Sequence, residues 1–233
     1  MTTTTNTLAV RAALQSGAGA AEAQLALIAG NTGDNQLAAV VADLTAAEVA
    51  VMVSDADMSK PSLAHSFLTV EQFLGAFARL GGRWGEVDAS ADYLRFQRDV
   101  EDFLCPMILV SPEPARRAEM LGTLLEHELG LDALFFLTLK REETAAQLKN
   151  PHGFPFAHGT WQELLALLFE HFPDKFRELA TLAHDLESQK ENDDEREDAR
   201  QEFGVAFLSA LHEEAVRIDP PATTAASEDF VDI

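Results

Sequence analysis

The chain has 233 residues, 47% of them hydrophobic, enough to bury one sizeable core or two small ones. Its 39 acidic against 17 basic residues leave a formal net charge of −22, which repels phosphate backbones and anionic membranes and so excludes direct nucleic-acid binding through counterion release. No run of about 18 uncharged apolar residues occurs, so no membrane insertion is expected.

The N-terminal residues carry no basic cluster, and Cys105 is the only cysteine. No intramolecular disulfide and no multi-cysteine metal site can therefore form, and a reducing cytoplasmic setting is expected. Cys105 stands among Phe103, Leu104, Met107 and Ile108, which is the setting of a buried, inert thiol.

In chain order, nearly every segment shows helical period and none a convincing strand alternation. Residues 1–7 are expected to be disordered. An Ala-rich helix is predicted over 8–29, ending at Gly30, and a second over 36–43. Leu44-Thr45-Ala46-Ala47-Glu48 is a capping box: Thr45 caps the helix while Glu48 reaches back to the free amide. The same arrangement recurs at Thr69 with Gln72 and at Thr160 with Glu163. Helix starts follow at Ala46, Val70 and Trp161. The first two boxes share Leu-Thr-x-x-(Glu/Gln), which fits either a duplicated helical unit or the recurrence of a common helix start.

Asp88 or Ser90 is positioned to cap a helix whose one face carries Tyr93, Phe96, Val100, Phe103 and Leu104, and Pro106 should kink or end it. Ser111-Pro112-Glu113 opens the next helix, which should run to about Gly130. Another is expected over 132–148, with a buried strand over 134–139 as the alternative. The pattern stops over 150–159 and resumes at Trp161, at Pro173 and over 195–217, where the charged first half reads as a solvated extension. The expected fold is all-α, an irregular helical bundle or short α-solenoid of roughly eight or nine helices. Its parts would be a helical body over 8–149, an aromatic loop over 150–159, C-terminal helices over 160–218 packing on the body, and a flexible acidic tail over 219–233.

Motifs for chemistry are absent from the sequence. The seven histidines show neither His-Glu-x-x-His nor Glu-x-x-His, so no zinc or di-iron signature exists. Asp55-x-Asp57-x-Ser59 begins like a calcium loop, but Lys60 stands where glycine makes the turn and Ser66 where a bidentate glutamate closes the cage. There is no nucleophile elbow and no phosphate loop. Catalytic residues, metals and cofactors are accordingly expected to be none.

Two features carry chemistry for binding. The loop around Phe154 and Phe156 places two aromatics between helix breakers, which can serve as anchors for a partner. From Asp185 onward the chain carries 15 acidic and 4 basic residues, half of its net charge. After Pro220-Pro221 comes Ser227-Glu228-Asp229-Phe230-Val231-Asp232-Ile233, a segment in which Phe230 and Ile233 can fill pockets while the acids meet basic residues. The expected function is that of an acidic helical adaptor, scaffold or assembly factor whose partner is another protein with a basic or apolar surface. The alternatives are a helical enzyme or sensor with a pocket using His127, His171 or His184, and an acidic mimic of nucleic acid that binds a basic protein.

Overall fold

A computed structural model describes residues 3–54, 62–85, 87–88, 92–139, 144–150, 157–188 and 192–219. The protein is all-helical among these residues. Twelve α-helices form: α1 (Thr3–Leu14), α2 (Ala18–Thr32), α3 (Asp34–Ala42), α4 (Ala46–Ser54), α5 (Val70–Phe77), α6 (Tyr93–Leu109), α7 (Pro114–Glu126), α8 (Gly130–Thr138), α9 (Thr144–Lys149), α10 (Trp161–His171), α11 (Pro173–Ser188) and α12 (Asp193–Ile218). Short 3-10 turns span Leu63–Phe67 and Leu80–Arg83.

The excess over eight or nine helices has local causes. Gly17, at φ 114°, breaks the expected helix over 8–29 into α1 and α2, because only glycine takes that backbone angle without strain. The helix expected over 132–148 stops at Thr138 and resumes at Thr144, whose hydroxyl donates to the Thr138 carbonyl at 2.9 Å. The strand alternative over 134–139 is overturned, since 130–138 is helical, with Leu134, Phe135, Phe136 and Leu137 buried.

The N-terminus departs from the expected disorder of residues 1–7, because α1 already begins at Thr3. Thr7 is fully buried, Asn6 nearly so, and Gln36 donates to the Thr3 hydroxyl at 2.8 Å. A threonine-rich stretch shows no apolar period, so burial of this kind left no pattern to detect.

The helix starts divide instructively. At Thr45 the reciprocal box forms: Glu48 N–H donates to Thr45 Oγ1 at 3.2 Å, and Thr45 N–H donates to Glu48 Oε2 at 2.8 Å. This box turns the chain through 113° between α3 and α4. The Thr69–Gln72 box forms as well. At Thr160 it does not, because Glu163 is drawn to the Arg117 guanidinium at 2.8 Å and to Gly159 N–H at 2.7 Å. Glu101 takes the Trp161 amide instead, at 3.1 Å. Asp92, rather than Asp88 or Ser90, caps α6.

α6 continues through Pro106 to Leu109. A proline inside a helix costs about 3 kcal/mol. Burial of Phe103, Leu104, Met107, Ile108 and Leu109 around it offsets that cost. α7 starts at Pro114, later than the Ser111 signal suggests, while the Ser111 hydroxyl accepts from Glu113 N–H at 3.2 Å.

One contiguous core joins both ends of the chain, from Val10 in α1 to Leu211 in α12. α6 is its central post, touching α7, α8, α10 and α12. Its ring Tyr93 meets Phe136 of α8, which in turn meets Phe207 of α12. Cys105, 2% exposed, belongs to this core.

Two buried glutamines hold helix ends inside it. Gln72 Nε2 donates to the Val41 and Leu44 carbonyls at 2.7 and 2.6 Å, closing the C-terminus of α3. Gln97 Nε2 donates to the Phe136 and Leu139 carbonyls at 2.7 and 2.9 Å, closing that of α8. Each satisfies helix-terminal carbonyls that water cannot reach.

His65 is 6% exposed, and desolvation lowers its pKa from 6.5 to about 4. The unfolded chain therefore binds the extra proton first. The neutral ring's advantage is complete above about pH 6.5 and lost as pH falls towards 4, to a total of about 3 kcal/mol. Urea unfolding of the native chain and of His65→Phe between pH 7.5 and 4.5 should show the steeper acid loss in the native chain. Parallel curves for the two proteins would contradict it.

Candidate functional site

A concavity lies where the C-terminal end of α8 meets α9, the end of α11 and the start of α12. This half-open groove encloses about 650 Å³, within the usual range of about 300–1,000 Å³ for sites that hold a ligand or anchoring side chains. Phe135, Leu139, Leu148, Ala183 and Leu186 make it apolar. Lys149, His184, Arg196 and Arg200 add nitrogen donors, and no acidic residue is among its described lining. In a chain with more than twice as many acids as bases, this is a local reversal of sign.

The groove is assembled from the sequence in steps. Gln97 fixes the α8 terminus that carries Leu139. On α12, Arg196 and Arg200 share the four-residue row that continues to the buried Gly204 and Leu208, so they face inward. Within the same helix, Arg196 pairs with Asp193 at 3.0 Å and Arg200 with Glu197 at 3.5 Å. Asp193 is almost fully exposed, whereas the Arg200 side chain is only 21% exposed. Asp193, Asp194, Glu195, Asp198 and Glu202 thus lie on the outer side of this half-helix, while Arg196, Arg200 and the half-buried Glu197 lie nearer the body. Residues 193–203 of α12 include no buried residue, in keeping with the expected solvated extension, but on the inward side the stems of Arg196 and Arg200 line the groove.

Gly204 explains how α12 comes so close. A Cβ there would sit 2.6 Å from the Tyr93 ring. The Tyr93 hydroxyl behind it has no hydrogen-bond partner among the described residues, and burial pushes its pKa up to about 12, with Glu197 adding and Arg200 opposing.

The three histidines of the alternative pocket reading lie on different elements. His127 caps the end of α7, His171 ends α10 and His184 lies on α11 in the groove. Among the described residues no group of three or more His, Cys, Asp or Glu side chains is placed to hold a metal.

His127 is nevertheless well engaged. Its Nδ1 accepts from Leu129 N–H at 3.2 Å, so the ring proton sits on Nε2 and is donated to Glu214 Oε1 at 3.1 Å. Both nitrogens are thereby occupied in joining α7, α8 and α12. The adjacent hollow of about 350 Å³ is lined by Glu128, Leu129, Ala210, Glu213 and Arg217 besides this pair, with no hydroxyl or thiol side chain among them. The geometry serves as a clasp between helices and supplies no free base beside a nucleophile.

Phe154, Phe156, Phe230 and Ile233, the partner-binding candidates of the sequence, lie outside the described residues, as do His152 and the calcium-like Asp55 and Asp57. What sequence reasoning missed is the groove's cationic set, Lys149, His184, Arg196 and Arg200. The available signal was the Arg196–Arg200–Gly204–Leu208 row, hidden by the acids that alternate with it. No single described helix is long and apolar enough to cross a membrane.

No protein-family model matches the chain, and the searches of curated proteins and of solved structures gave no match.

Proposed function

We propose that this chain is a non-enzymatic adaptor, scaffold or assembly factor, built as an irregular helical bundle, whose groove receives an apolar segment flanked by acidic residues from a partner protein. The observation that carries this reading is the reversal of charge sign in this large apolar groove. Apolar side chains would supply the affinity by leaving water. Arg196, Arg200 and Lys149 would select acidic flanks and disfavour basic ones. The intrahelical pairs of Arg196 with Asp193 and of Arg200 with Glu197 lie at the helix surface, where such a pair contributes about 0–1 kcal/mol. The acidic remainder of the surface speeds encounter with a basic patch on the same partner. The clasp geometry of His127 and the dispersal of His171 and His184 favour this reading over a catalytic one.

An array of short Leu/Phe-containing peptides with acidic, neutral or basic flanks tests the proposal. Acidic-flanked members should bind best, and Arg196→Glu combined with Arg200→Glu should weaken them by about tenfold or more without loss of helix content. Equal binding of basic-flanked peptides would sink the reading.

A further inference from the structure

The groove's lining has a counterpart in the chain itself. Of its residues beyond Asp219, 227–233 combine Glu228, Asp229 and Asp232 with Phe230, Val231 and Ile233. That is the chemistry the groove selects, acids beside large apolar side chains, and Phe230 and Ile233 are spaced to fall on one side of a helical turn. The segment's formal charge is negative throughout, whereas the groove's described charged residues are all cationic.

Reach is sufficient. Asp219 closes α12 and is held to the protein by Arg79, whose Nε lies 2.6 Å from Asp219 Oδ2. Arg200 is nineteen residues back along the same helix, about 28 Å at 1.5 Å per residue. Phe230 is eleven residues beyond Asp219, a span of up to about 36 Å at 3.3 Å per residue. The seven residues between, Pro220 to Ala226, include no bulky side chain, and a tether of this length gives an effective concentration in the millimolar range. A contact too weak to form between separate molecules at working concentrations is therefore substantially occupied within one.

We infer that residues 227–233 dock in the groove of their own chain and act as an internal competitor for the partner segment. This rests on the proposed reading of the groove and adds its regulation. A partner then gains access only by outcompeting the tail, or where the tail is engaged elsewhere.

The test uses the full chain and a full chain carrying Glu228→Lys, Asp229→Lys, Phe230→Ala and Asp232→Lys, changes that touch none of the described core. A fluorescent peptide of sequence 227–233 is titrated into each, alongside the strongest acidic-flanked peptide of the array. Both peptides should bind the tail variant at least tenfold more tightly than the native chain, and adding Arg196→Glu and Arg200→Glu should abolish that gain. If the array peptide binds both chains equally, the internal competitor is ruled out while the groove reading stands. If neither peptide binds either chain, both ideas fall. Sedimentation of the native chain over a hundredfold concentration range should show no tail-dependent dimer; a dimer lost in the tail variant would assign the segment to a second copy and overturn docking within one chain.

Discussion

Replacing Gly81 with alanine is expected to destabilise the protein by about 3 kcal/mol, at the upper end of what added core volume costs. A Cβ at this position would lie 2.2 Å from the Leu211 carbonyl carbon, 2.3 Å from its oxygen and 2.4 Å from the His212 nitrogen. These are backbone atoms of α12, so no side-chain rotation relieves the clash. The turn over Leu80–Arg83 and the helix must move apart, which also disturbs the approach of His212 Nδ1 to the Gly81 carbonyl at 3.3 Å. Gly30 supplies the contrast: it lies within α2, and a Cβ there meets nothing within 4 Å. Gly30→Ala should stabilise by about 0.5–1 kcal/mol through helix propensity and a less disordered unfolded chain. Urea midpoints of the two variants should move in opposite directions. A neutral Gly81→Ala would mean that α12 does not rest backbone to backbone on this turn.

Gln97→Leu carries the second large effect. The leucine fills a similar volume but removes both bonds, so that among the described residues the Leu139 carbonyl loses its side-chain donor and the Phe136 carbonyl keeps the 3.2 Å bond from Leu139 N–H. A buried polar group stripped of its partner costs about 1–3 kcal/mol, so a total of about 2–3 kcal/mol is expected. The loss is not confined to stability. Leu139 lines the groove, and Gln97 is what holds the α8 terminus in place. Peptide affinity should therefore fall together with the unfolding midpoint. A fall in stability with unchanged affinity would show that the groove does not depend on this clamp.

Helix identity was legible wherever a local rule decides it. The boxes at Thr45 and Thr69, the proline start of α11 and the long α12 all follow from residues within one turn of each helix end. Failures occur where distant groups compete. Glu163 had the spacing of a box, yet Arg117, forty-six residues away, claims its carboxylate. Pro106 had the chemistry of a terminator, yet buried neighbours on both sides hold α6 together. The groove illustrates the same limit. Lys149, His184, Arg196 and Arg200 come from three helices, and nothing local to any of them announces the others. Even so, the four-residue row of two arginines, Gly204 and Leu208 marks an inward face in the sequence of α12. The surrounding acids obscured it because their number drew attention to the solvated side.

The central claim is that the groove distinguishes acidic from basic flanks through Arg196 and Arg200. Its most direct test is a swap of specificity rather than a loss of binding. Two peptides with one apolar core, flanked by Glu or by Lys, are titrated into the native protein and into the Arg196→Glu, Arg200→Glu variant under low salt, where screening is weakest. The account predicts that the native protein prefers the Glu-flanked peptide and the variant the Lys-flanked one. If both proteins rank the two peptides in the same order, the arginines do not select the partner and the account is wrong.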